Sequence, residues 1–329
     1  MNTTNRGILS TQQRVLFCIP IFDDWAAAKL LLPSIAEVAS QQDWSAEVLF
    51  VDDGSLEDWS ETLTARPEGI ARLDVLELRR NLGHQRAIAV GLAHVYEHRP
   101  CDVVIVMDGD GEDMPSSVPD LVARVPDTKD RGVVFAKRAR RSDKLWFKVM
   151  YQAFKLFHRI FVGRRVEVGN FSAMSHAALE RLMGVPEIGN HYAAAVEKSR
   201  IPVTKVPIPR GRRMSGEGKM NFVSLVTHGL SAMSVWGEEI GVHLLLGSAL
   251  LVVGSIAGLG VIAWSGLGSG RQFPTWAITV AGLLGVVALN GLLLSVTFSF
   301  LVLRGRNDQA FMPLRDYSHY VRGSVAVEG

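Results

Sequence analysis

Two apolar runs in the last third of the chain, Ile240 to Trp264 and Thr275 to Leu303, contain no Asp, Glu, Lys or Arg. A helix needs roughly 20 apolar residues to cross the hydrocarbon core of a bilayer, and each run exceeds that length. A buried helix pair in a soluble protein is the competing reading, and charge-free runs this long argue against it. The joining segment, Ser265 to Pro274, is short, glycine-rich and carries only Arg271 as a charge. Basic residues gather on the outer flanks instead: Arg210, Arg212, Arg213 and Lys219 before the first run, Arg304, Arg306 and Arg315 after the second. The positive-inside rule then puts both flanks in the cytoplasm and the link on the far side. Trp264 and Trp276 bracket the link at the depth where interfacial aromatics sit. Gly254 and Gly258 form a small-xxx-small pair that lets another helix approach closely, and a homo-oligomer is left open.

The rest of the 329 residues suffices for one sizeable α/β domain. A net charge of +2 gives no electrostatic footprint for nucleic acid, which is not expected as a partner. Met1 to Arg14 is polar and lacks the apolar core of a secretory signal, so the expectation is a domain that stays cytoplasmic. Cys18 and Cys101 lie beside apolar runs without metal-ligand company and read as buried thiols in a reducing compartment.

Short β-rich apolar runs recur at Val15 to Ile19, Val48 to Val51, Val75 to Leu78 and Val103 to Met107. Helix-like stretches such as Ala26 to Ser40 and Gln85 to Tyr96 separate them. Continuously apolar strands alternating with helices predict a mostly parallel sheet covered on both faces. A nucleotide is then expected at the C-terminal ends of the strands. No GxGxxG follows the first strand, which counts against a dinucleotide-dependent dehydrogenase.

The fourth run ends in Met107-Asp108-Gly-Asp110-Gly-Glu-Asp113-Met-Pro115. In extended chain, residues i and i+2 point the same way, so Asp108 and Asp110 can converge on one hard cation. Gly109 and Gly111 would leave room for a diphosphate to approach. An acidic turn is the ordinary alternative for Asp-x-Asp, but the first and second runs also end in carboxylates, at Asp23-Asp24 and Asp52-Asp53. Such groups accept hydrogen bonds from a base edge or ribose hydroxyl; each could equally be a helix cap. Further on, Lys144, Lys148, Lys155 and Arg159, together with Gln152 and His158, share a face of roughly 120° on a helical wheel, opposite Trp146, Phe147, Phe154, Phe157 and Phe161. That composition predicts a helix in the membrane interface, with packing against the domain as the alternative.

Phe17-Cys-Ile-Pro-Ile-Phe-Asp-Asp24, Val51-Asp-Asp-Gly-Ser55, Asn81-Leu-Gly-His-Gln85 and Met107 to Pro115 resemble the ordered motifs of inverting family-2 glycosyltransferases. Val168-Gly-Asn-Phe-Ser-Ala-Met174, Arg210-Gly-Arg-Arg-Met-Ser-Gly-Glu-Gly-Lys219 and the membrane hairpin narrow the resemblance to the polyprenyl-phosphate branch, which includes dolichol-phosphate mannose synthase. It covers about residues 13 to 303. The resemblance implies a GT-A nucleotide-sugar-binding α/β fold and a nucleotide-sugar donor. It also implies Mg2+ or Mn2+ as cofactor and a lipid-phosphate acceptor in the membrane, with the site in the cytoplasm of a bacterial inner-membrane protein. It places Pro20, Asp24 and Asp53 at the nucleoside. Asp108 would contact the ribose or metal, Asp110 would be the principal metal ligand, and Arg210, Arg213 and Lys219 would grip phosphates, with Asp108, Asp110, Asn170 and Arg213 as the catalytic set. The expected organisation is a polar tail (1–13), a GT-A core (14–143) and an interfacial and acceptor-binding part (144–235). A two-helix membrane hairpin (236–303, spans about 240–264 and 275–303) and a cytoplasmic tail (304–329) complete it.

Departures from the branch bear on the acceptor. Asp23-Asp24 replaces the usual Asn-Glu, and Gly218 replaces a serine. Asn170 stands where the branch has aspartate, and an amide is no general base. A phosphate acceptor is already anionic and needs none. A hydroxyl acceptor would need one elsewhere, Glu112 and Asp113 being nearest. A transferase acting on another lipid-linked saccharide in envelope polysaccharide assembly, and a non-catalytic scaffold with a retained fold, are the alternatives.

Overall fold

The computed structural model describes residues 12–125, 132–138, 168–216, 222–269, 275–307 and 311–329. The basic amphipathic segment from Lys144 to Val162 and Lys219 lie outside the described residues. The chain divides into two compact units: residues 1–142, 166–235 and 310–329 form one, and 143–165 with 236–309 the other.

The first unit is built on a sheet ordered β7-β5-β6-β4-β1-β2-β3-β8. The apolar runs become β1 (Gln13–Ile21), β2 (Trp44–Asp52), β3 (Ile70–Leu78) and β4 (Val103–Val106), with α1 (Trp25–Gln41), α2 (Trp59–Thr62) and α3 (His84–His98) in the connections. All contacts among these four strands are parallel, as the pattern predicts. Beyond β4, α4 (Val118–Val122) precedes β5 (Val133–Arg138). Then come β6 (Ser172–Ser175), α5 (His176–Leu182), α6 (Tyr192–Lys198), β7 (Val203–Ile208) and α7 (Phe222–Ser234). Strand β6 runs antiparallel to β4 and β5, which makes the sheet mixed.

Alternation along β1 sorts the core onto two faces. Val15, Phe17, Ile19 and Ile21 join Trp25, Leu31 and Ile35 of α1, while Leu16 and Cys18 join Val90 and Leu92 of α3 and Tyr192 of α6. Both cysteines are buried and free, and burial pushes each thiol up to about 12, so neither is a ready nucleophile.

The last residues do more than form a tail. After α10 (Pro313–Tyr320), β8 (Val321–Ala326) pairs antiparallel with β3 and closes that edge of the sheet. Val327 N donates to Leu73 O at 2.9 Å, and His98 Nε2 lies 2.9 Å from the Tyr317 hydroxyl.

The second unit contains α8 (Gly237–Ser269) and α9 (Thr275–Asn307). Both are long and apolar enough to cross a membrane, and only 11% of each apolar window is buried, unlike the core helices of a soluble domain. Within the pair, an added Cβ at Gly258 would lie 2.9 Å from Leu284 Cδ1, and Ser248 Oγ meets Ser295 Oγ at 2.6 Å. Small residues thus bring these two helices together, and no described residue lies within 4 Å of the Cβ position at Gly254. Sheet residues occur both before α8 and after α9.

Candidate active site

Because β4, β1 and β2 are parallel neighbours, their C-terminal ends deliver Asp108 and Asp110, Asp23 and Asp24, and Asp52 and Asp53 to one rim. Each carboxylate is used differently there. Asp53 is 3% exposed, and its two oxygens accept from Leu82 N at 2.7 Å and Gly83 N at 3.0 Å. It thereby fixes the loop leading into α3. Burial pushes its carboxyl up to about 6, against the opposing effect of those two hydrogen bonds. Gly54 next to it has φ +71°, and an added Cβ would stand 2.6 Å from the backbone of Arg80 and Asn81. Pro20 is buried in β1 and aligned with Val51.

Asp23 adopts φ 47° and ties down the adjacent loop, accepting from Leu56 N at 2.6 Å and Glu57 N at 3.1 Å. Asp24 precedes α1 without capping it through its side chain and is paired instead with Arg213 Nη2. Arg213 Nη1 reaches Asp110 Oδ2 at 3.1 Å, so one guanidinium bridges the ends of β1 and β4. The backbone follows: Met214 N donates to Asp110 O, and Gly211 N to Glu112 O, both at 2.9 Å. Arg210 pairs with Glu112. The basic motif is therefore laid directly over the Asp-x-Asp loop. Burial raises the Asp110 carboxyl above the usual carboxylate range.

Glu112 and Asp113 hold structural positions. Asp113 is 1% exposed and accepts the Asp108 N–H at 3.0 Å, while Glu112 is committed to Arg210. The glycines differ from expectation as well. An added Cβ at Gly109 would meet Ile21 Cδ1 at 2.2 Å, and one at Gly111 would meet Met214 Cγ at 2.4 Å. Their missing side chains make room for β1 and for the basic loop, not for a ligand.

Asn170 joins the rim through a polar relay that sequence reading missed. Gln85 Oε1 accepts from Tyr192 N at 2.6 Å, which turns its amide Nε2 toward Asn170 Oδ1 at 3.3 Å. The Asn170 amide then faces His84 Nε2 at 2.9 Å, and that nitrogen lies 3.1 Å from Asp108 Oδ1. The motifs Asn81 to Gln85 and Val168 to Met174 had singled out these residues, but nothing local showed that they meet.

Among the described residues, no three His, Cys, Asp or Glu side chains converge as a metal cage. Asp108 and Asp110 nonetheless suit a Mg2+-like ion, which commonly takes one or two carboxylates and fills the rest of its shell with substrate phosphates. The spot between Asp24 and Asp110 already holds one cation, the Arg213 guanidinium.

A family model described as Glycosyl transferase family 2 matches residues 17–183. An uncharacterized glycosyltransferase of Bacillus subtilis (strain 168), YkcC, is 24% identical over 226 residues, covering 67% of this chain and 68% of that protein. The undecaprenyl-phosphate 4-deoxy-4-formamido-L-arabinose transferase of Enterobacter sp. (strain 638) is 27% identical over 269 residues, covering 74% and 77%. Among solved structures, glucosyl-3-phosphoglycerate synthase from Mycobacterium tuberculosis, in complex with Mn2+, UDP-glucose and phosphoglyceric acid, aligns with a TM-score of 0.50 at 16% identity. That alignment covers 70% of this chain and 80% of that one. The likeness concerns the fold, and the expected GT-A architecture stands.

Proposed function

We propose that this chain, which belongs to glycosyltransferase family 2, moves one sugar from a nucleotide-sugar donor to a polyprenyl phosphate with inversion. The observation that carries this reading is Arg213 lying between Asp24 and Asp110, which joins the basic motif to the carboxylate rim. The similarity to undecaprenyl-phosphate sugar transferases over three quarters of both chains supports the acceptor class, and the membrane hairpin supplies its solvent.

In this reading Pro20, Asp24 and Asp53 shape the nucleoside pocket, Asp53 by holding the Leu82-Gly83 loop in place. Asp108 and Asp110 would hold Mg2+ or Mn2+, which when bound would supply positive charge to offset that on the departing diphosphate. Arg210, Arg213 and Lys219 grip donor and acceptor phosphates, a task suited to the guanidinium fork. An acceptor phosphate oxygen attacks the anomeric carbon as its bond to the diphosphate breaks on the opposite face. No proton has to be removed, so Asn170 serves as an orienting amide within the Gln85–His84 relay. The catalytic unit lies in the cytoplasm at a bacterial inner membrane, the Ser265 to Pro274 link lies outside, and self-association occurs, where present, through the spans.

Metal-dependent nucleotide binding tests the site. Asp110→Ala should abolish stimulation of nucleoside diphosphate binding by Mg2+ or Mn2+ while the far-ultraviolet dichroism stays native. Undiminished metal-dependent binding in that variant would remove Asp110 from the metal site.

A further inference from the structure

We propose a second site, remote from the carboxylate rim, that accepts a phosphate-type oxyanion where the C-terminal strand closes over the far end of α3. A pocket of about 260 Å3 lies there, lined by Arg72 and Asp74 of β3, His94 and His98 of α3, Arg99 just after it, and Ser324 of β8. Helix α3 starts in the active site at His84. At 1.5 Å per residue, Arg99 is ~22 Å away along its axis.

Two lining residues carry polar atoms that none of the described residues satisfies. Arg99 is 7% exposed and His94 8%. Arg99 Nη2 donates to Asp74 Oδ2 at 2.8 Å, yet among the described residues its Nη1 has no partner, and neither has His94 Nε2. Buried polar groups are almost always hydrogen-bonded, and a guanidinium N–H can be satisfied only by an acceptor. Asp74 Oδ2 also accepts from Arg72 Nε at 2.7 Å, so one carboxylate serves two guanidinium groups and the lining keeps an unmatched positive charge. Glu47 acts on Arg99 from β2 without lining the pocket. Burial, helped by His98 and Arg99, lowers His94 to about 4. At neutral pH it is an uncharged imidazole able to donate from Nε2. A guanidinium N–H, an imidazole N–H and a serine hydroxyl around an excess positive charge match the acceptor oxygens of a phosphate.

Because Ser324 comes from β8, the site is complete only when the C-terminal strand is docked, and the bound anion should hold that strand down. The test is calorimetry on the full chain in detergent without divalent metal, in which only the binding lost in Arg72→Gln or His94→Leu is assigned to this pocket. Inorganic phosphate and a nucleoside monophosphate, titrated separately, distinguish a free ion from a phosphate ester. We expect saturable one-to-one binding of at least one of them, together with slower amide exchange across Val321 to Ala326. Arg72→Gln, on a half-exposed side chain, and His94→Leu should each weaken binding roughly tenfold or more. Should neither probe bind saturably, or should both variants bind as tightly as the parent, the pocket holds only water and the proposal fails. That failure would leave the transferase reading untouched.

Discussion

Gly54→Ala is a sharp test of how the rim is assembled. The residue has φ +71°, and its added Cβ would lie 2.6 Å from both Arg80 C and Asn81 N. Those are backbone atoms, so no rotamer change relieves the contact. Left-handed backbone costs an alanine about 1–2 kcal/mol. Overpacking against a fixed neighbour adds roughly 1–3 kcal/mol. Gly216→Ala isolates the first cost, because Gly216 has nearly the same φ of +69° and among the described residues its Cβ would meet nothing nearer than Arg213 Nε at 4.0 Å. At roughly 2–4 °C per kcal/mol for a domain of this size, Gly54→Ala should melt ~2–12 °C below Gly216→Ala. The displaced Arg80–Gly83 backbone should also loosen the hydrogen bonds to Asp53, seen as faster amide exchange at Leu82 and Gly83. Equal melting points for the two variants, with exchange unchanged, would refute the claimed contact between the two loops.

Asn170→Asp keeps an acceptor for Gln85 and places a second oxygen toward His84, so transfer to polyprenyl phosphate should persist within ~10-fold. A general base is worth ~100- to 10,000-fold, and a gain of that size in the aspartate variant would show that the native reaction lacks a base it needs. The membrane topology is read by impermeant thiol labelling in intact cells. A cysteine at Ser269 should react and one at Ser318 should not, and the opposite pattern would invert the orientation.

The parallel strands and the two long apolar helices were legible because their signals are local. An apolar run of four or five residues between helix-like stretches specifies β1 to β4, and charge-free runs longer than a bilayer specify α8 and α9. The carboxylate rim was legible for the same reason, since each acidic pair directly follows an apolar strand. Partners distant in sequence were not legible. Asn170 meets His84 and Gln85, some 85 residues earlier, through the antiparallel placement of β6, which no local pattern encodes. Strand β8 was missed because Val321-Arg-Gly-Ser-Val-Ala326 is short and largely exposed, and its partner β3 lies some 250 residues away. Its one signal is the two-residue spacing of Val325 and Val327. The glycines of the Asp-x-Asp loop were assigned to the ligand because sequence shows an absent side chain without showing what fills the space.

Transfer itself tests the central claim most directly. Purified protein, a panel of radiolabelled nucleotide sugars, Mg2+ or Mn2+ and undecaprenyl phosphate should yield, with one donor, a lipid-extractable product. In it the sugar is joined through a single phosphate with its anomeric configuration inverted. The product should be absent without metal and absent with Asp110→Ala. If label instead appears only on a hydroxyl of a lipid-linked saccharide, or on no lipid with any donor, the polyprenyl-phosphate transferase account is contradicted.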